Sequence, residues 1–457
     1  MDRDTEQLQR MGYAQQLLRD MGGFANFALS FSIISVLTGA VTLYGHGLRY
    51  GGPLQMLLGW PLVTLLTLSI AASLGELASA YPTAGALYHW SSILGGRGAG
   101  WLTAWLNTIG QFAITAGIDF GLAGFVAAMF GWDPQQDRAP AIWIFAGILL
   151  VHAALNHLGV RLVARLNDLS VWVHIAGVAI LVGALTFLAP HQPAHFLLQR
   201  TGGPYDLALG LLLAAWTFTG YDASAHVSEE TRDPSRNAPW GMVLAVIVSG
   251  IAGYAMLLAV TLSIGDLSAA RAADNPFIFV LREALGPALG NGLVWVAMAA
   301  MWFCGLSSVT SNSRMLFAFA RDGGLPFSRQ LASVSPRFRS PHVAVWVSAA
   351  MALLVALWSD AYEAITAFST IALYASYGLP VLFGLRAATR LRGPWTLGAH
   401  SRAVNRIALC WIAVCLVLFV LPPNQKVGYT FAGCLAALGL YWRLWMRKRF
   451  KGPPGVV

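Results

Sequence analysis

An all-α polytopic membrane protein with twelve transmembrane helices is the fold class this 457-residue sequence predicts. Hydrophobic residues make up 57% of the chain and charged residues 11%, with a mean hydropathy of +0.61, a balance foreign to soluble globular domains. Twelve apolar segments are each long enough to cross a bilayer. Their interruptions recur at matching places in two successive halves of the chain.

In order, the segments lie near 22–48, 54–80, 98–130, 141–159, 166–189, 206–228, 240–264, 287–319, 341–358, 361–386, 405–421 and 427–446. An even number puts both termini on one side. With the N-terminus inside, only Arg49, Arg138, Arg200, Arg271, Arg282 and Lys426 of the 29 basic residues fall outside, so the positive-inside rule makes both termini cytoplasmic. The net charge of +9 then faces anionic inner-leaflet lipid, and no nucleic-acid partner is needed to explain it. Residues 1–20 carry Asp2, Arg3, Asp4, Glu6, Arg10, Arg19 and Asp20. They are too polar and too acidic for a secretory signal and read as a solvated tail. Cys304, Cys410, Cys415 and Cys434 fall within spans without CxxC or His-flanked spacing and read as packing residues, so no metal or cofactor is implied. The loops after 130, 190, 265, 328 and 390 are short, and Pro276 to Leu285 has the apolar spacing of a short amphipathic helix at the outer interface.

The third span of each half is unusually long, and the first span of each half is interrupted. Ser35-Val36-Leu37-Thr38-Gly39 breaks span one, and Phe218-Thr219-Gly220 breaks span six. Five spans per half is an odd number, so the second half sits inverted relative to the first. The chain thus divides into a tail (1–20), a first repeat (21–189), a second repeat (190–390) and two added helices with a basic C-terminus (391–457). Matched breaks in inverted repeats point to a secondary transporter with its site at mid-membrane. There, half-helix N–H groups suit a carboxylate and the opposite half-helix ends suit a cation. Gly39 and Gly220 taken singly also read as close-packing glycines.

Four stretches resemble the amino acid, polyamine and organocation superfamily, and within it the amino acid/choline permeases related to GABA permeases. They are SIISVLTG (32–39), GELASAYPTAGALYHW (75–90), WTFTGYDASAHVSEETRDPSRNAPWGM (216–242) and SRMLFAFARDGGLP (313–326). The resemblance covers roughly 21–390 and implies a LeuT-type 5+5 inverted repeat with discontinuous helices 1 and 6. It further implies that Leu37, Thr38 and Gly39 receive a substrate carboxylate, with Ser35 bordering the pocket. Phe218, Thr219 and Gly220 would receive the amine, Trp216 would cover the substrate, and Gln111 would reach the site from span three.

Charges inside the spans each cost about 2.5 to 3.5 kcal/mol and need a partner or a purpose. Asp222 matches an acidic position of related exchangers; it attracts an amine, carries a proton, or caps the lower half of helix six. By the same resemblance, His174 takes the place of a lysine that replaces bound sodium, which makes it the favoured proton carrier or else a packing residue. Ser307 and Ser308, with Thr310 and Ser311, offer the rival reading of a sodium site or of helix-bridging hydroxyls. Asp119 reads as a group that supports the site through a hydrogen bond from behind it, or as a proton-transfer group. Glu76 reads as structural. The loop of Glu229, Glu230, Arg232, Asp233 and Arg236 reads as a wet latch toward Arg321 or Asp322.

The expectation is an inner-membrane permease for an amino acid or related amine, working by alternating access as a proton-coupled carrier or exchanger. Its partners are the substrate, a proton in preference to sodium, the bilayer, and a second copy docking through spans eleven and twelve. A choline or polyamine carrier is the nearest alternative. A membrane enzyme lacks a catalytic motif here, and a channel lacks a ring-forming selectivity motif.

Overall fold

In lipid, each peptide N–H and C=O must be satisfied within its own segment, so the apolar runs have little choice but to become helices. The computed structural model describes residues 3–132, 138–358, 362–387, 391 and 393–454. The expected repeat boundary at 390 lies outside them. The first span is divided into α1 (Gly23–Ile34), α2 (Gly39–Thr42) and α3 (Tyr44–Tyr50). There follow α4 (Trp60–Ala80), the short α5 (Leu87–Gly95), the 33-residue α6 (Arg97–Met129), α7 (Arg138–His157) and α8 (Val160–Leu188). The sixth apolar segment is again divided, into α9 (Pro204–Gly210), α10 (Leu212–Thr217) and α11 (Ala223–His226). Then come α12 (Pro234–Leu262), α13 (Pro276–Arg321), α14 (His342–Trp358), α15 (Tyr362–Ala387), α16 (Ser401–Leu418) and α17 (Gln425–Tyr441).

Among the described residues, nine helical stretches are long and apolar enough to cross a membrane. The other three predicted segments are the divided 204–226 and the two 17-residue helices α14 and α17. Gly286 (φ +76°) interrupts α13, so 276–285 is a separate helical piece ahead of a long apolar one, as its spacing predicted.

Contacts between the halves run in opposite directions. Along the divided first and sixth segments, Asn26 meets Ser224, Ser30 bonds the Tyr221 carbonyl, Ile33 abuts Gly220, Gly39 abuts Thr217 and His46 reaches the Leu209 carbonyl. As one number rises the other falls, so the two segments are antiparallel. The same holds for α4 and α12, where Tyr254 bonds the Leu57 carbonyl, Trp60 the Gly250 carbonyl, and Gly75 faces Pro239. It holds again for α6 and α13, through Gln111 with Ser311, Thr115 with Ser308, and Asp119 beside Gly305. Small residues let these backbones approach where lipid supplies no hydrophobic drive.

Gly220 combines two demands: its φ is +95°, and a Cβ there would lie 2.2 Å from Ile33 Cγ2. Backbone strain of this kind is worth about 1–3 kcal/mol before the clash is counted. Gly220→Ala is therefore expected to lower the melting temperature of the purified protein. Gly124→Ala, in α6 with open space around it, is expected to leave that temperature unchanged.

Candidate functional site

The site begins with the two breaks. Ser35 ends α1 with φ −8° and ψ 100°, and the chain re-enters a helix only at Gly39. The Thr38 hydroxyl donates to Ser35 Oγ (2.7 Å), which also lies 2.6 Å from His174 Nε2 on α8. In the second break, the Thr219 hydroxyl turns back to the Trp216 carbonyl (2.6 Å), and Gly220 N–H approaches the Tyr377 hydroxyl of α15 (3.4 Å). Each break is thus held by one ring from a later helix of its own half. In the first half the pairs Ser32–Ser170 and Ser35–His174 run parallel; in the second, Trp216–Ser369 and Asp222–Tyr377 do so.

Between the breaks lies a small cavity walled by Ile33, Thr38, Gly39, Ile114, Ile118, Trp216, Thr217, Thr219 and Cys304. At about 10 Å³ it admits one water-sized sphere. No charged side chain is among its walls. Of the residues expected at a substrate site, Thr38, Gly39, Trp216 and Thr219 line it. Trp216 is anchored by its indole N–H on Ser369 Oγ (3.0 Å) and edges against Tyr362. Ser35 stands one hydrogen bond behind Thr38. Leu37 turns toward Gly177, Phe218 packs on Trp60 (ring centroids 4.7 Å), and Gln111 donates to Ser311 at 3.4 Å.

Asp222 departs from one expectation. It holds the N-cap position of α11 but makes no side-chain cap hydrogen bond. Its carboxylate instead accepts from Tyr377 (2.9 Å) and Asn107 (3.2 Å) and meets His226 Nε2 at 3.1 Å, because the side chain lies along the face of the short helix that looks toward α6 and α15. The hydroxyls expected at a cation site lie between helices: Ser307 donates to Asn167, Ser308 pairs with Thr115, and Thr310 donates to Asn156. His174 Nδ1 faces the Ser170 carbonyl at 2.8 Å, so the ring satisfies both nitrogens while neutral. Asp119 is fully buried against His152 Nδ1 (3.1 Å), and its Oδ1 and His152 Nε2 have no hydrogen-bond partner among the described residues.

Beyond the second break a charged cluster closes one end of the bundle. Glu230 and Arg314 form a two-pronged pair (2.8 and 3.0 Å), and Glu229 grips Arg321 in the same way (2.9 Å twice). Of the ion pairs expected of this loop, Glu229 with Arg321 forms, and it is not wet: Glu229, Glu230 and Arg314 are all fully buried, while Arg232, Asp233 and Arg236 stay exposed. Burial pushes the Glu229 carboxyl up, but the charge and hydrogen bonds of Arg321, the Ala84 N–H and nearby His89 outweigh it and hold the group below its ordinary value. The tail completes the closure. Asp20 and Met21 N–H groups bond the Glu230 carbonyl, Asp20 pairs with Arg161 and Arg232, and Arg321 stacks over Tyr13 at 3.9 Å. The Tyr13 and Tyr88 hydroxyls meet on Asp322 (2.7 and 2.8 Å) beside His89. The tail is therefore a strap rather than a solvated end.

Sequence reasoning missed Tyr377, His226, Asn107, His152 and Cys304. Only His226 carried a readable signal, at a four-residue spacing from Asp222 that puts both on one helical face.

A helical membrane bundle with two antiparallel broken segments meeting over a cavity defines the class, and comparison with known proteins supplies the family. A family profile described as "Amino acid permease" matches residues 22–440. The chain is 35% identical over 500 residues to Amino-acid permease BAT1 of Arabidopsis thaliana, covering 99% of this chain and 96% of that one. It is 36% identical to the BAT1 homolog of Oryza sativa, with 99% and 96% covered, and 25% identical to the GABA-specific permease of Saccharomyces cerevisiae, with 98% and 86% covered. The chain belongs to the amino acid permease family of the amino acid, polyamine and organocation superfamily. It is a multi-pass membrane transport protein and not an enzyme.

Removing one member of a buried ion pair strands the other, at about 3–5 kcal/mol. Glu230→Gln is expected to lower the melting temperature markedly. Adding Arg314→Met is expected to restore part of that loss, since a stranded charge costs more than an absent pair.

Proposed function

We propose that this chain is a secondary transporter that carries an amino acid or related amine by alternating access. The observation that carries this reading is the cavity enclosed by two antiparallel backbone breaks, each braced from within its own half. A zwitterion suits both of its poles once the cavity widens: a carboxylate on the N–H groups of residues 37–39, two of which now donate to the Ser35 carbonyl and would exchange it for the cargo, and an ammonium on carbonyls near 217–220 with the Trp216 face beside it. Antiparallel pairing of corresponding segments supports a 5+5 inverted repeat over 21–189 and 190–390. Twelve spans follow, with both termini cytoplasmic in an inner membrane and the last two helices free to form a dimer surface. Coupling, in symport or exchange, falls to protons acting on ionisable groups within the spans, for which the sequence offers His174, Asp119 and Asp222 as candidates, in preference to sodium at Ser307 and Ser308.

The uncharged walls favour a small neutral amino acid over a polyamine, whose second ammonium would find no counter-charge there. One relative bears the name GABA-specific permease, which adds GABA to the candidates.

A panel of amino acids, GABA, choline and putrescine, tested for thermal stabilisation of the purified protein, identifies the ligand, because binding to the folded form alone raises the melting point. A neutral amino acid or GABA is expected to stabilise it and putrescine is not. Trp216→Leu is expected to weaken binding about tenfold, the equivalent of about 1.4 kcal/mol of cation–π attraction. Counterflow in liposomes checks carriage: trans-stimulation is expected, and its absence contradicts the reading.

A further inference from the structure

We propose that the coupling proton sits on His226, with Asp222 as its counter-charge; this rests on the transporter reading above and names the group that links the cargo site to the latch. Hydrogen-bond bookkeeping carries the assignment. His226 Nδ1 lies 3.1 Å from the Ala84 carbonyl, which only accepts, so Nδ1 bears a hydrogen. Nε2 lies 3.1 Å from Asp222 Oδ2, which leaves two arrangements: an imidazolium donating to a carboxylate, or a neutral ring accepting from a carboxylic acid. Both hold the same number of protons, so one proton is shared across this contact in either form. Take it away, and a ring lone pair faces a carboxylate in a site with no solvent exposure. The contact cannot survive that loss, so proton occupancy and geometry are tied.

The surroundings supply no substitute. The other donors to Asp222 are neutral, the Tyr377 hydroxyl and the Asn107 amide. Of the groups on elements packed around His226, α1 contributes only uncharged Asn26 and Ser30 toward α11, and Tyr221 and Tyr377 contribute phenols. Glu230 is engaged by Arg314, Glu229 by Arg321, and His89 by Asp322. Among the described residues, Asp222 has no ion-pair partner other than His226. His174 differs in kind: it satisfies both nitrogens while neutral, and among the described residues its hydrogen-bond partners are hydroxyls and a carbonyl with the Phe31 ring beside them, so a proton gained there would lack a counter-charge.

Residue 84 connects the proton to the closed end. Its carbonyl takes His226, while its N–H donates to Glu229 Oε1 (3.2 Å), the carboxylate that holds Arg321. Asp222 itself lies two residues past Gly220. Loss of the shared proton therefore loosens the break and the latch together, and the proton leaves only when that end opens.

The test uses the full-length protein in liposomes with radiolabelled GABA and alanine, read as the ratio of uptake driven by an acid-outside pH gradient to counterflow at equal pH. Wild type is expected to give a ratio of at least about fivefold. His226→Gln keeps a hydrogen-bonding amide between Ala84 and Asp222 but carries no proton, and is expected to bring the ratio to about one; His195→Gln, at an exposed position that the site does not use, is expected to keep it raised. A wild-type-like ratio in His226→Gln, or a collapse confined to His174→Gln, overturns the assignment. Wild-type counterflow without any response to the gradient also overturns it, while leaving the transporter reading standing. Absence of counterflow removes both. Should His226→Gln not fold, proton uptake on adding GABA or alanine to the wild type in weakly buffered detergent decides: about one proton per bound substrate supports the proposal, and none contradicts it.

Discussion

Peptide groups without a helical partner at membrane depth are the constraint on which the rest of this structure depends. Lipid offers them nothing, so each must be met by protein or by a polar cargo. Around residues 35–39 and 216–223 the chain meets this demand with short turn bonds, the Thr38 and Gly39 N–H groups on the Ser35 carbonyl and the Ala223 N–H on the Gly220 carbonyl, while the Trp216 carbonyl takes both the N–H and the hydroxyl of Thr219. A ring from another helix supports each break, His174 for the first and Tyr377 for the second. Gly220 serves both readings made of it, taking the positive φ of the break and leaving room for Ile33, while Gly39 serves the close approach alone, its missing Cβ leaving room for Thr217.

That approach organises the charges. Because α11 resumes directly after the second break, Asp222 and His226 share one face of a single turn, aimed at Asn107 and Tyr377. The loop that follows carries Glu229 and Glu230 inward to Arg321 and Arg314, and the N-terminal strap lies over them. Buried pairs of this kind are poor sources of net stability but sharp determinants of which conformation is closed. Toward the opposite end of the bundle Glu363 meets Arg49 and His46 in a more exposed contact.

Much of this was legible beforehand, for definite reasons. Segment boundaries follow from hydropathy, which lipid enforces residue by residue, and the breaks follow from Thr and Gly in otherwise apolar runs. The helical piece at 276–285 could be read from its spacing and its Pro and Gly neighbours. What escaped was set by rotation about helix axes. Nothing in the spacing distinguished Asp222 as a cap from Asp222 as a partner of Tyr377, 155 residues later. The same ignorance made Glu229 and Glu230 look wet and residues 13–20 of the tail look solvated. Burial of a loop depends on what covers it, and the cover here comes from the chain's other end. Ser307, Ser308 and Thr310 were readable as polar but not as helix bridges, because their partners Asn167, Thr115 and Asn156 lie on three other spans.

The central claim is that the space between the two breaks is the cargo site, and Cys304 in its wall permits a direct measurement. With Cys410, Cys415 and Cys434 replaced by serine, the alkylation rate of Cys304 by N-ethylmaleimide is followed with and without a saturating amount of the ligand that most stabilises the protein. The account predicts that this ligand slows the reaction several-fold. An unchanged rate under saturating, stabilising ligand would mean that cargo binds elsewhere, and would contradict it.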